Sequence, residues 1–325
     1  MHSSVRRKTI FALGASLLAG SRAAHAQDFP TQTIRVVVPY PPGGVVDPVA
    51  RLLTTPMAAY LGQPMVVDNR PGAAGAIGIA VVAQAKADGH TLLFHSSTIT
   101  TSATVQHENA KIDVPAVLAP VAMVGSAPFL IVVNPGVPVK SIQELIDYAR
   151  ANPGKLNYGS SGRGSSNHLA AELFKRMAGV DLVHVPFQGG GPAVTALVGG
   201  QIQVGFDTIT GSSQLVKAGR LRALAVTSLQ RSKALPDVPS VHESGVPNYD
   251  VNFWLGYFAP ANTPRDVIGK LAAAVRESNA NPEVAQKLAG FGLERSNASA
   301  DQFAALFRSE IDKWDKLLKS LDGAR

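Results

Sequence analysis

The stretch Ile34-Arg35-Val36-Val37-Val38-Pro39-Tyr40-Pro41-Pro42-Gly43-Gly44-Val45-Val46-Asp47-Pro48 joins a strand, a loop and a helix start. Ile34 to Val38 is a β-branched run that Pro39 ends. Asp47-Pro48 reads as a helix opening, with Asp as N-cap and Pro at the first helical position. Val49, Leu52, Leu53, Met57, Tyr60 and Leu61 then share one face at helical spacing, with Pro56 predicting a kink or an early end. Strand, glycine loop, helix is the unit of a parallel sheet, and the chain repeats it.

Met65-Val66-Val67-Asp68 is the next strand, leading through Pro71-Gly72-Ala73-Ala74-Gly75 to a helix near residues 76–87. Thr91 to His95 follows and ends in Ser96-Ser97-Thr98. Further along, Phe129 to Val133 is a strand, and Ser141-Ile142-Gln143-Glu144 is a capping box opening a helix to about Ala151. Leu156 to Gly159 precedes a Gly/Ser loop and a helix from about Asn167 whose inner face is Leu169, Ala170, Leu173, Phe174 and Met177. Strands at 182–185, 204–206 and 221–226 complete the middle. The last quarter holds the extended run Phe253 to Phe258, then helices opening at Thr263-Pro264, near Pro282, and at Ser299 with Gln302.

Those last helices have no strands of their own to cover, so they are expected to pack back on the first β/α unit. The chain then crosses twice between lobes, near Gly125–Pro128 and Asn248–Asn252. The expected architecture is α/β and two-lobed, a Venus-flytrap clamp hinged on two crossing strands. Residues 27–124 with 252–325 would form lobe 1 and residues 125–251 lobe 2.

Composition narrows the function. The chain has 325 residues, 46% apolar and 16% charged, which excludes disorder as the main state. It has no cysteine, which excludes disulfide scaffolds, thiolate metal sites and cysteine nucleophiles. Its formal charge of +7 suggests nucleic acid, but the first 26 residues read as a secretory signal. Arg6, Arg7 and Lys8 precede an apolar stretch from Ile10 to Gly20, too short to span a bilayer, and Ala24-His25-Ala26 is an A-x-A cleavage site. Cleavage removes four cations, leaving 26 Lys and Arg against 23 acids, a net of +3 over 299 residues with no basic run. The expectation is therefore a bacterial periplasmic protein that binds no nucleic acid. The Arg6-Arg7 pair leaves both general and twin-arginine export open.

Two loops carry the chemistry. In Tyr40 to Asp47, Gly43 and Gly44 bare backbone N–H groups where a strand hands over to a helix, whose N-terminus adds partial positive charge. Such a loop can hold an anion without Arg or Lys, with Asp47 fixing the loop, or it can be a tight turn needing glycine only for its φ angles. Gly159-Ser160-Ser161-Gly162-Arg163-Gly164-Ser165-Ser166-Asn167-His168 matches it in the other lobe and suits a carboxylate, hydroxy acid or amino acid. It is neither a dinucleotide fingerprint, since Asn167 replaces the last Gly, nor a P-loop. Phe187-Gln188-Gly189-Gly190-Gly191-Pro192, Asp207-Thr208 and Ser96-Ser97-Thr98 also fall at strand ends, where open α/β sheets bind ligands or simply turn.

Ser160 or Ser165 with His168 raises a periplasmic hydrolase, yet G-x-S-x-G is missing and no acid is placed to orient His168. The histidines are scattered and HExxH is absent, so no metal or other cofactor is expected. Phe253 to Phe258 reads as a buried crossing strand rather than a stacking platform.

The sequence resembles the Bug family, the periplasmic solute-binding proteins of tripartite tricarboxylate transporters. The resemblance rests on Val38 to Gly44 with Asp47 and Ala50-Arg51-Leu52-Leu53, Asp68 to Gly75, and Ala87 to Leu93. Tyr158 to Ser165 with His168-Leu169-Ala170, Val185 to Ala193 and Leu197 to Ile202 complete it, covering essentially the whole mature chain. It implies a two-lobed clamp that holds a small carboxylate and acts as a monomer. Its partner would be the permease subunits of a membrane transporter, or alternatively a membrane sensor. Carried over by position, the first-lobe contacts are Tyr40, Pro42, Gly43, Gly44 and Asp47, with Ser96 and Ser97. The second-lobe contacts are Ser160, Ser161, Gly164, Ser165 and His168, with Phe187, Gly189 and Asp207 lining the floor. Val45-Val46 departs from the family, which commonly has a small or hydroxyl residue before the aspartate, and would narrow the pocket or make it more apolar.

Overall fold

A computed structural model describes residues 29–72, 75–101 and 112–322. The expected signal segment lies outside these residues, as do Ala73 and Ala74 of the Pro71–Gly75 loop. The strands are β1 (Ile34–Val38), β2 (Met65–Asn69), β3 (Thr91–Ser96), β4 (Leu118–Val133), β5 (Asn157–Ser160), β6 (Val183–Pro186), β7 (Val204–Thr208), β8 (Arg222–Val226), β9 (Asn252–Pro260) and β10 (Glu294–Arg295). The main helices are α1 (Val46–Leu61), α2 (Ala76–Ala83), α3 (Ile142–Ala151), α4 (Ser166–Ala178), α5 (Gly190–Val198), α6 (Ile209–Lys217), α7 (Arg265–Ala280), α8 (Pro282–Gly290) and α9 (Ala300–Asp322).

The strand order is β2-β1-β3-β9-β4-β7-β5-β6, with β8 and β10 also on β4. Each end of the sheet is a parallel trio: β1 lies between β2 and β3, and β5 between β6 and β7. Two antiparallel strands join the trios. β4 pairs with β9 along residues 118–128, then with β7 and β8 along residues 129–133. β9 runs back beside β3. The chain therefore leaves one half of the sheet at Pro128-Phe129 and regains it at Asn252. This is an α/β two-lobed fold.

Strand alternation builds a core on both faces of each half. In the first half Ile34, Val36 and Val38 pack against α1 and α7, whereas Val37 and Leu93 face Phe303 and Phe307 of α9. In the second, Phe129, Ile131 and Val133 pack under α3 and α4, and Leu130 and Val132 under α5.

Local differences from the sequence reading have physical causes. α1 begins at Val46, because Val45 already has helical φ and ψ, so Asp47 sits in the first turn and is not the N-cap. Pro56 lies inside α1 without ending it; Val49, Leu53 and Met57 bury the helix on both sides of the proline, and Gly62 in the left-handed region closes it. Tyr60 and Met177, placed on inner faces by spacing, are exposed. Ser299 and Gln302 form a reciprocal capping box. At Ser141 the Glu144 carboxylate instead accepts the N–H of Lys140.

The final helix does more than cover the first half. Phe303 and Phe307 pack there, but Trp314 and Leu317 join the core of the second half with Tyr249 and Phe174. Lys313 Nζ donates to the Asp250 carbonyl beside the second crossing. α9 thus spans the hinge. Trp314→Ala is expected to cost about 3 kcal/mol, the usual loss for a buried large aromatic, seen as a lower urea midpoint with an unchanged slope.

Candidate functional site

Between the halves lies a cavity of about 760 Å³, lined from both sides by residues that follow strand C-termini. Tyr40, Gly43 and Gly44 follow β1, Ser96 ends β3, Ser161 and Ser165 follow β5, Gly189 follows β6, and Asp207 lies in β7. Residues at the N-termini of α1, α2, α4, α5 and α6 all line this space. Ser165 and Thr208 each cap one first-turn N–H, of α4 and α6, and the partial positive charge of the five N-termini makes the space an environment for an anion. The rest of the lining is largely apolar: Val46, Val194, Pro39 and Pro41, with Phe129 and Phe253 edge-to-face at 6.2 Å on the crossing strands.

The first-half loop is braced from behind. Gly43 has φ +96°, a value that favours glycine, and a Cβ on Gly43 or Gly44 would meet open space. Asp47 lies outside the cavity lining and accepts hydrogen bonds from Arg51, Asn69 Nδ2 and the Gly43 N–H. Burial pulls its pKa up, but these partners outweigh that and hold it below the ordinary carboxylate value. Asn69 also donates to the Tyr40 carbonyl, so one amide ties loop and helix together. The Tyr40 hydroxyl points at Ser96 Oγ (2.7 Å) and His95 Nδ1 (3.1 Å), and burial pushes its pKa up to about 12. His95 itself is fully buried, and desolvation brings its pKa down to about 4.

The second-half loop is braced by its own side chains. Ser165 caps α4 and donates to the Gly162 carbonyl at 2.7 Å, while Asn167 Oδ1 accepts the Ser161 N–H. Beneath it His168 and His184 lie with ring centroids 4.1 Å apart. His168 Nδ1 accepts the Gly164 N–H, and Ser160 Oγ shares a 2.7 Å hydrogen bond with His184 Nε2. Burial first, and for His168 the neighbouring ring second, brings both histidines down to about 4. Glu172, the nearest acid, accepts from Tyr158 and Lys175. Ser160 is fully buried and does not line the cavity, so this Ser–His contact supports the loop and presents no hydroxyl to the cleft.

Of the expected contacts, Tyr40, Gly43, Gly44, Ser96, Ser161, Ser165, Gly189 and Asp207 line the cavity. Pro42, Asp47, Ser97, Ser160, Gly164, His168 and Phe187 stand behind or beside it. Some of these hold the halves together instead. Ser97 Oγ meets Ser166 Oγ at 3.1 Å, Thr98 Oγ1 meets it at 3.0 Å, and Thr101 Oγ1 donates to the Gly164 carbonyl at 2.5 Å. Phe187 lies beneath Gly159, where a Cβ would come within 3.3 Å of its ring. Arg163, Asn167, Gln188 and Val194 also line the cavity and are not among the expected contacts. Their signal is position, each lying in or just after a quoted loop.

Asp207 is the one carboxylate lining the cavity among the described residues. Desolvation pushes its pKa up to about 6 against the pull of the Ser212 hydroxyl (2.6 Å) and the Thr208 N–H. No cation pairs with it among the described residues.

Two α/β halves joined by two crossing strands around a ligand-sized cleft define a periplasmic binding protein, the hinged class of solute receptor. The chain belongs to the tripartite tricarboxylate transporter family of receptors, whose pattern matches residues 49–322. The Bordetella pertussis protein BugT is 34% identical over 290 residues, 89% of each chain. A Rhodopseudomonas palustris protein solved with adipate is 34% identical with a TM-score of 0.80, covering 90% of this chain and 98% of its own. MatC from the same species, solved with bound malate, is 33% identical with a TM-score of 0.78, covering 89% and 99%. No described helix is long and apolar enough to cross a membrane.

A carboxyl group whose pKa is raised on folding stabilises the fold below its unfolded pKa and loses that contribution as pH rises through about 6. Asp207→Asn removes the buried charge and is therefore expected to melt above the parent at pH 7.5, with the gap closing towards pH 4. The histidines titrate in both proteins, so the gap alone reports Asp207; a gap independent of pH would contradict the assignment.

Proposed function

We propose that this protein captures a small carboxylate between its lobes in the periplasm and delivers it to a tripartite tricarboxylate-type membrane transporter. The observation that carries the reading is the convergence of five helix N-termini, from both halves, on one ligand-sized cavity. Adipate and malate in two relatives of the same fold support it. The proposed lobes are residues 27–124 with 252–325 and residues 125–251, closing about β4 and the start of β9, with α9 strapped across the hinge. Gly43, Gly44, Ser161, Ser165 and Gly189 would meet the ligand, while Asp47, Ser160 and His168 hold the loops that do. In this reading residues 1–26 are an export signal removed after Ala26, and the mature protein works as a monomer without chemical turnover.

Backbone donors select charge and shape more than any one side chain, so neutral sugars should fail where carboxylates succeed. The test is a thermal-shift panel of di- and tricarboxylates, acidic amino acids, aromatic acids and neutral sugars on the parent and on Gly44→Leu. Gly44 has no left-handed φ, and a Cβ there would have no neighbour within 4 Å, so leucine fills the cleft without straining the turn. A ligand at about 100 times its Kd adds about 2.7 kcal/mol. We expect a clear rise in Tm with one acid class, lost in Gly44→Leu while the unliganded Tm stays put. A rise with sugars and none with acids would overturn the reading.

A further inference from the structure

Among the described residues, the cavity lining holds a single cationic residue, Arg163. It sits at the tip of the second-half loop between Gly162 (φ +127°) and Gly164 (φ +76°), so the chain turns sharply on either side of it. That turn is fixed. The Gly162 carbonyl accepts from both Ser160 Oγ and Ser165 Oγ, the Gly162 N–H returns to Ser160 Oγ, and the Gly164 N–H is held by His168. Thr101, reaching from the other half, closes on the Gly164 carbonyl. Arg163 therefore rises from a braced platform.

The side chain is exposed and meets no carboxylate among the described residues. The acids nearest the cleft are engaged elsewhere: Asp47 with Arg51, Glu172 with Lys175 and Tyr158, and Asp207 with Ser212. A cationic residue on the lining of a site that backbone dipoles already make anion-selective is redundant for a ligand with one carboxylate. It gains a partner when the ligand carries a second acidic group, because a carboxylate takes the guanidinium fork in a two-point contact. Apolar walls at Val46, Val194 and Phe129 would hold the carbon body between the two ends.

We propose that Arg163 is a specificity-determining residue that pairs with a second anionic group on the ligand, so that the protein prefers dianions over monoanions of the same carbon body. The proposal rests on the carboxylate reading above and deepens it.

Matched acids test it: butyrate with succinate, hexanoate with adipate, and benzoate with terephthalate, titrated calorimetrically into the parent, Arg163→Gln and Arg163→Lys. In the parent the dianion of a binding pair should be at least tenfold tighter than its monoanion. Arg163→Gln should weaken the dianion about tenfold or more and change the monoanion less than threefold, bringing the ratio near one. Arg163→Lys keeps the charge but not the fork and should fall between. A ratio that Arg163→Gln leaves unchanged, or equal weakening of both acids, overturns the role of Arg163 while the carboxylate reading stands. Tight binding of monoanions alone would do the same. Failure of every acid, here and in the thermal panel, removes the carboxylate reading and this inference with it.

Discussion

The site depends on one constraint: a helix that follows a parallel strand starts at the strand's carboxyl end, with its first N–H groups unpaired. In this chain β1, β5, β6 and β7 all finish towards the same cleft, and the helices after them begin there. Nothing inside the helices can satisfy those donors. A bound anion can, and each helix adds the partial charge of its N-terminus. Selectivity for anions is thus a by-product of topology, obtained before any side chain is chosen. That leaves side chains free to discriminate among anions, which is why a lone Arg and a lone Asp in the lining carry more meaning than they would elsewhere.

The loops keep their shape through polar side chains, most of them outside the cavity lining, with Ser165 both bracing its loop and lining the cavity. Asp47 and Asn69 hold one loop, and Ser160, Ser165 and the His168–His184 pair hold the other. Neutral histidines fit this role better than charged ones, since a cation buried under the anion loop would need a counter-charge of its own. Glu172 could supply one, but it is taken up by Tyr158 and Lys175. The same economy governs the contact between the halves. It uses hydroxyls, Ser97 and Thr98 on Ser166, whose bonds cost little to exchange for water when a clamp opens.

Much of this was legible in the sequence because it is local. Short apolar runs mark β1, β3 and β7, ended by Pro39, by Ser96-Ser97-Thr98 and by Asp207-Thr208, and the two glycine-bearing loops announce themselves by composition. Where sequence and structure part, the deciding contact is distant in the chain. Asp47 looks like an N-cap until Asn69, 22 residues away, is seen to hold it in the first turn. Ser97, expected in the ligand shell, faces Ser166, which is 69 residues away. Trp314 sits on an amphipathic helix whose spacing says that one face is buried, without saying that its two ends enter different cores.

Arg163 shows the same limit from the other side. In sequence it is merely one residue of the Gly159–His168 loop, and a cation in a loop is ordinarily a solvated one. Its meaning comes from what surrounds it: a turn locked by four hydrogen bonds, an anion-selective cavity in front, and neighbouring acids already committed to other partners. A solvated arginine on a mobile loop would carry little selectivity, since ordering it would consume the energy of the contact. On a turn braced at the cavity lining, that ordering is largely done in advance, and the same charge can discriminate.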